Sequence, residues 1–258
     1  MSTIANIERQ NVQPGSRVSL LGCRIDNVSV AEAVSRIHSF ILSGNRHRYF
    51  ALNIHKVAAF RRMPDLLRIA NESDLVTADG EPIIWLARLL GKPLKGRVTG
   101  VDIMEDLIAL AAAHSYKIYF LGAQPAVLAA AIANYKAQYP DLRIAGYRDG
   151  YWELEQESLV VSAIREAQPD ILFMGISSPK KELFMDKHLD ELNVPFMMGV
   201  GGAFDIAGGV TKRAPIWMQR HGLEWFWRVL QEPGRMWKRY LMDGIQFLFT
   251  AVKEMLRK

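Results

Sequence analysis

Short apolar runs and stretches of helical period alternate along the chain from residue 18 to about residue 210. Runs with strand character fall at Val18–Cys23, Tyr49–Asn53, Leu75–Ala78, Lys117–Gly122, Arg143–Tyr147, Ile171–Gly175 and Phe196–Val200. Between them, apolar residues three and four apart predict helices at Val30–Ser43, His55–Asn71, Pro82–Leu90, Val101–His114, Pro125–Tyr139, Leu159–Ala167 and Pro179–Leu192. Ser29 followed three residues later by Glu32 is a capping box that opens the first of these helices. Pro82, Pro125 and Pro179 each suit a first helical turn, where a missing N–H costs nothing.

Strand, helix and strand joined by short connections predict an α/β fold: a Rossmann-like, mostly parallel sheet with helices on both faces. Near residue 211 the rhythm changes. Ala214–Leu230 reads as one or two short helices around His221-Gly222, Pro233-Gly234 as a hinge or break, and Gly234–Lys258 as a helix. On that last helix Trp237, Tyr240, Leu241, Gly244, Leu248, Ala251 and Met255 share one face, and Arg239, Asp243, Gln246, Thr250, Lys253 and Arg257 lie opposite. The expected organisation is a loose polar leader over residues 1–17, an α/β domain over 18–210 and a helical appendage over 211–258.

Charge sharpens that division. Residues 211–258 carry ten Lys/Arg against four Asp/Glu, a net +6; the rest of the chain carries 22 against 23, a net −1. The cations are interleaved with Trp217, Trp225, Phe226, Trp227, Trp237 and Tyr240. Cations mixed with rings suit an anionic membrane surface, where the charges meet head groups and the aromatics enter an apolar boundary. A terminal helix packed on its own domain would show a similar period, and the charge asymmetry favours the lipid surface. An exposed apolar appendage is also compatible with a homo-oligomer.

The lone Cys23 excludes an intrachain disulfide framework and a cysteine-rich zinc site, and fits a reducing compartment. Met1–Arg17 lacks the apolar stretch of a signal peptide, and no apolar run approaches the ~20 residues of a membrane span. The expectation is a protein that touches a membrane without crossing it.

Ligands of open α/β sheets bind beyond the carboxyl ends of the strands. The residues there are Asn53-Ile54-His55, Asp79-Gly80-Glu81-Pro82, Gly122-Ala123-Gln124-Pro125, Gly175 to Glu182, and Gly199 to Asp205. Several place Gly or Ser just before a helix start, which favours a phosphate. Neither a Walker loop nor the dinucleotide fingerprint G-x-G-x-x-G occurs at the first strand, so a mononucleotide diphosphate is a better candidate ligand than NAD. Asp79 is the best-placed carboxylate for general-base work, although an Asp-Gly pair is also an ordinary turn. Arg97 read alone is an ordinary solvated arginine, and His55 and His221 receive no role. Lys180-Lys181 is a charged helix start at a place where a diphosphate would dock. No D-x-D motif occurs, so Arg and Lys are left to balance phosphate charge, with no metal and no cofactor called for.

The runs TADGEPIIWLARLLG (77–91), RVTGVDIM (97–104), FLGAQPAVLAAA (120–131), FMGISSPKKELFM (173–185) and GVGGAFDIAGGVTKRAPIWMQRHGLEWFWRVLQEPGRMWKRYL (199–241) resemble the WecG/TagA/CpsF glycosyltransferases, in family order. The resemblance covers roughly residues 20–241. It implies an inverting, UDP-sugar-dependent, metal-independent hexosyltransferase of bacterial exopolysaccharide or cell-envelope polymer synthesis, peripheral on the cytoplasmic face of the cell membrane. Such enzymes move a hexose or N-acetylhexosamine (glucose, N-acetylmannosamine or its uronic acid) onto a polyprenyl-diphosphate-linked sugar.

By the same resemblance, residues 18–210 form the nucleotide-sugar-binding catalytic domain and 211–258 a membrane-associating appendage. Asp79 is the catalytic base. Substrate contacts are implied at Asn53, Arg97, Gly122, Gln124, Ser177, Lys180, Lys181, Gly201 and Asp205, while Arg228, Arg235 and Arg239 reach the diphosphate from the appendage. Two departures bear on substrate: Ala51-Leu52-Asn53 replaces a common T-P-N, and Pro179-Lys180-Lys181-Glu182 a common P-K-Q-E. An aspartate with an ordinary pKa of ~3.9 is already ionised at neutral pH, so the base needs no unusual tuning. Two other readings stand beside it: a Rossmann-like oxidoreductase, disfavoured by the missing fingerprint, and a non-catalytic protein binding anionic lipid or nucleic acid through its tail. Nucleic acid is disfavoured because the basic residues are confined to one aromatic-rich helical segment without a reader motif.

Overall fold

The computed structural model describes residues 16–256, with the side chains of Arg235, Met236 and Arg239 outside the description. The expected leader therefore lies outside the described residues except for Ser16 and Arg17. Six strands form one parallel sheet: His47–Leu52 (β3), Leu75–Ala78 (β4), Lys117–Gly122 (β5), Arg143–Arg148 (β6), Ile171–Gly175 (β7) and Phe196–Gly199 (β8). Their order is β4-β3-β8-β7-β5-β6, and each neighbouring pair is parallel. The chain leaves β3 toward one edge and later fills the other side, so the order switches between β3 and β8. Crevices at such switch points are where open α/β sheets take ligands.

The strand expected at Val18–Cys23 is instead a hairpin, Arg17–Leu20 (β1) and Cys23–Asp26 (β2), paired antiparallel. Leu21 and Gly22 turn the chain at φ 56° and 79°, a reversal that apolar periodicity does not register. The hairpin shields the β4 edge. Asp26 is buried and accepts from the Val76 amide at 2.8 Å, from Arg17 Nε at 3.1 Å and from Arg36 Nη1 at 2.7 Å. A carboxylate thus occupies an edge donor that would otherwise invite another strand.

The first helix, Val30–Ser43 (α1), begins at the Ser29–Glu32 capping box and ends at Gly44 in the left-handed region. The long helix expected at His55–Asn71 is two, Ile54–Phe60 (α2) and Pro64–Glu72 (α3), because Pro64 cannot continue a helix from its interior. Glu81–Leu89 (α4), Gly100–His114 (α5), Pro125–Gln138 (α6) and Glu157–Ala167 (α7) follow close to expectation. The helix expected at Pro179–Leu192 divides into Lys180–Lys187 (α8) and Leu189–Leu192 (α9), with Pro179 at the cap position rather than in the first turn. Ala203–Ala207 (α10), Ile216–Arg220 (α11), Glu224–Gln231 (α12) and Pro233–Met255 (α13) complete the chain. Pro233 opens α13, and the break expected at Pro233-Gly234 falls one residue earlier, at Glu232.

Alternate strand residues serve the two faces, as the pleat requires. Tyr49, Ala51, Phe120, Phe173 and Met198 pack under α1, α5 and α6. On the other face, Phe50, Leu52 and Val76 pack with the hairpin and α2 to α4, and Leu121, Leu172 and Met174 with α7 and α8. Both faces are covered, so these strands are almost continuously apolar.

The C-terminal helix packs on α2 along Asp243, Phe247, Ala251 and Met255, with Ala251 inside the core cluster of α2 to α4. This corrects the expected division of its faces. Asp243, placed on the polar side by period, is buried and bonded to His55 at 2.8 Å. Trp237, Leu241 and Leu248, placed on the packing side, are exposed. Leu241, Met242, Ile245, Leu248, Phe249 and Val252 form a second apolar stripe that faces solvent.

Candidate functional site

Asp79 is the first residue after β4, and its position is fixed by backbone pairing. Its amide donates to Leu52 O of β3 at 2.7 Å, which holds it level with Asn53, the residue that follows β3. The Val98 amide donates to Ala78 O at 3.0 Å and so draws the loop carrying Arg97 to the end of β4. Below them, the buried Tyr49 hydroxyl and Thr77 Oγ1 stand 2.6 Å apart, and Thr77 Oγ1 donates to Val98 O at 3.2 Å. Arg97 is therefore delivered to Asp79 by a chain of main-chain and side-chain bonds.

Burial raises the Asp79 carboxyl above the usual aspartate range. The positive charges of Arg228, Arg97 and Lys56, in that order, oppose the rise, and Glu224 adds to it. Ordinary tuning therefore does not describe this carboxylate: the partly desolvated site makes it a stronger base than a free aspartate.

Two of these charges, on Arg97 and Lys56, come from segments that follow sheet strands, and two, on Glu224 and Arg228, from beyond residue 211. Glu224 at the start of α12 pairs with Arg97, while Arg97 Nε lies 3.8 Å from Glu81. Arg213 pairs with Asp102 at the start of α5 and places Nε 3.6 Å from Glu224. Desolvation works against the Arg213 charge, but Asp102 and Glu224 outweigh it and raise its pKa. One turn beyond Glu224, the exposed Arg228 exerts the largest attraction on Asp79. The segment is seated by a close approach: a Cβ at Gly222, where φ is +71°, would lie 2.3 Å from Glu81 Cγ. A cleft open to solvent is lined by Gly202, Asp205, Arg213, Glu224, Trp227 and Arg228 among others. Asp79 is not on its wall, but Glu224 and Arg228 belong both to the cleft and to the charges acting on Asp79.

Of the residues expected in the site, the structure brings Asp79, Asn53, Arg97, Asp205 and Arg228 to the end of the sheet near the switch point. Asn53 Oδ1 caps α2 by accepting from the Lys56 amide at 3.1 Å. Gly201, at φ +55°, leads into α10. Gly122 ends β5, four strand positions from β4, so at ~4.8 Å per strand it lies ~19 Å from Asp79. It fits there because it has no side chain: a Cβ would meet the Gly175 backbone at 2.5 Å. Gln124 and Ser177 are exposed at the same sheet end. Lys180 turns toward Trp152, with Nζ 4.2 Å from the ring centroid. Arg235 and Arg239 occupy the first turns of α13, and their side chains lie outside the described residues.

Lys181 departs from expectation. It is buried, with Nζ donating to Ile176 O at 3.3 Å and lying 3.7 Å from Glu182, and its stem lies against Gly199. The buried Glu182 also pairs with the buried Lys56 at 2.9 Å, and Lys56 lies 4.0 Å from the centroid of the Phe50 ring. Burial alone would push Glu182 up, yet Lys56 and Lys181 bring it down to about 2. Period 3.6 gives no weight to a lysine at position 56, but a lone charge among Ile54, Val57, Ala58 and Phe60 was a usable signal. Glu224, Arg213 and Asp102 left no such trace, because their pairing joins segments more than 100 residues apart.

Residues 18–258 match the model of the glycosyl transferase WecG/TagA/CpsF family. A Bacillus subtilis (strain 168) relative is 33% identical over 190 residues, covering 74% of this chain and 73% of its own length. Relatives from Bacillus spizizenii and Staphylococcus aureus (strain MW2) are 32% and 30% identical, covering 85% and 90% of this chain and 84% and 89% of their own. All three are named N-acetylglucosaminyldiphosphoundecaprenol N-acetyl-beta-D-mannosaminyltransferase.

Proposed function

The chain belongs to the WecG/TagA/CpsF glycosyl transferase family, and we propose that it moves an N-acetylhexosamine from a UDP-sugar onto a polyprenyl-diphosphate-linked sugar, with inversion. The names of the three relatives support this class of acceptor and favour N-acetylmannosamine as the transferred sugar. The observation that carries the reading is the placing of Arg97 beside Asp79 at the carboxyl end of the sheet, held by the Val98–Ala78 and Asp79–Leu52 backbone bonds, with Arg97 paired to Glu224 one turn before Arg228.

In this reading Asp79 takes the proton of the acceptor hydroxyl as that oxygen attacks the anomeric carbon. The bond from that carbon to the donor diphosphate breaks on the opposite face, and UDP leaves with the electron pair. Charge builds on the departing diphosphate, and fixed guanidinium groups stabilise it without a metal. Arg97 and Arg228 are the groups we assign to that task, with Arg213 beside them. Residues 18–210 then form the catalytic unit, and the segment from 211 onward closes over it and excludes water.

We also assign the exposed stripe of α13 to an anionic membrane surface. Among the described residues no helix is long and apolar enough to cross a membrane. The exposed apolar positions and the cations of residues 211–258 suit a helix lying in the interface, beside a lipid-linked acceptor. Incubation of the purified protein with a panel of UDP-sugars and a short-chain polyprenyl-diphosphate N-acetylglucosamine tests the reading. Transfer from one of them with inverted anomeric configuration is the expected result; release of no UDP from any donor would refute it.

A further inference from the structure

We infer that Glu224 is an internal counter-anion, which holds the place of the donor diphosphate on Arg97 and must give way before that diphosphate binds. The inference rests on the UDP-sugar reading above and names a residue that sets affinity at that same site.

Glu224 carries the only carboxylate of α12 among its described residues, at the N-terminal end of the helix. That carboxylate lies between Arg97, which it contacts directly, and Arg213, whose Nε is 3.6 Å away. Arg213 Nε is buried and finds no acceptor within hydrogen-bond distance among the described residues. Both guanidinium groups are only partly exposed, so their charges are poorly screened by water. Glu224 is also the negative neighbour that raises the Asp79 carboxyl. Its carboxylate thus acts on the base as well as on the two arginines.

A diphosphate offers the same chemistry with more charge and more acceptor oxygens. It would compete with Glu224 for Arg97 and supply the acceptor that Arg213 Nε lacks. Because Glu224 sits one turn before Arg228 on one helix, its displacement also shifts the arginine closest in influence to Asp79. Binding of the donor and the setting of α12 over the base are thereby one event.

The test is calorimetric titration of wild type and Glu224→Gln with UDP, with inorganic pyrophosphate and with uridine. If the paired state prevails about nine times in ten, its loss tightens apparent affinity by about tenfold. The expected result is that gain for UDP and pyrophosphate, with no change for uridine, since uridine lacks the phosphates. A residue that merely fastened the segment would move all three ligands together, or weaken them. Unchanged or weaker UDP binding by Glu224→Gln, with wild type binding UDP, overturns the inference while leaving the donor reading intact. Failure of wild type to bind UDP removes the donor reading and the inference with it. Glu224→Ala, which removes the hydrogen bond as well as the charge, is expected to shift in the same direction and serves if the glutamine variant does not fold.

Discussion

His55 Nδ1 lies 2.8 Å from Asp243 Oδ2, tying the last long helix of the chain to the first helix after β3. His55 is two residues from Asn53 and one from Lys56, so this contact joins α13 to the wall of the proposed active site. Asp243 is buried, and a buried carboxylate without a partner is costly. The pair fixes α13 on α2 together with Phe247, Ala251 and Met255, which pack on the core there.

Asp243→Ala is expected to free α13 locally, at a cost of about 1–3 kcal/mol from the lost charged hydrogen bond. Hydrogen exchange at residues 240–256 should speed up while exchange in β3, β7 and β8 stays at wild-type rates. Uniform acceleration through the sheet would show instead that the whole fold depends on this contact.

Asp79→Asn is expected to lower transfer by about 10²–10⁴-fold, the usual worth of a general base. Its stability should move the other way. A carboxyl whose folded pKa is raised contributes stability below its unfolded pKa and loses it as pH rises through the folded one. Near pH 7.5 the amide should therefore melt at the same temperature as wild type or higher, with the gap closing toward pH 3. A variant that is both inactive and clearly less stable would mark Asp79 as structural.

The sign reverses at Glu182, whose folded pKa is lowered from 4.5 to about 2. Its contribution is full above the unfolded value and is lost as pH falls from there toward about 2. Glu182→Gln leaves Lys56 and Lys181 buried without their shared counter-charge, and an expected loss of about 3–5 kcal/mol follows. Urea unfolding at pH 7 measures it, and a loss below about 1 kcal/mol would show that the network is solvated.

Replacing Leu248 and Phe249 together by Glu alters side chains that are 63% and 70% exposed, so folding should be unaffected. Flotation with vesicles containing anionic phosphatidylglycerol should fall several-fold, because the change removes apolar contact and adds repulsion. Transfer to a water-soluble acceptor analogue should persist. Undiminished flotation would move the membrane contact elsewhere on the chain.

The α/β class, the parallel sheet and the segments from Gly100 to Ala167 are legible in the sequence because they are written in local terms. A buried strand is an apolar run, and a cap such as Ser29–Glu32 acts within one turn. The same holds for Asp79 as a candidate: a residue just past a strand lies at the crevice whatever the strand order. The hairpin at Leu21-Gly22 and the break before Pro64 were local too, but turn chemistry at those points outweighed the apolar period.

What only the tertiary structure decided is how charge is distributed around those positions. The period of α13 supplies a wide apolar arc, and its own sequence does not say which part meets α2 and which meets solvent; the core contact of Ala251 and the pairing of Asp243 with His55 do. Lys181 has the composition of a surface residue and is buried because Gly199 leaves room for its stem and Glu182 waits beneath. The grouping of Arg97, Glu224 and Arg228 with Asp79 depends on α12 folding back across the sheet from beyond residue 211. Coulomb interactions depend on distance in space, and distance in space is what a linear sequence leaves undetermined.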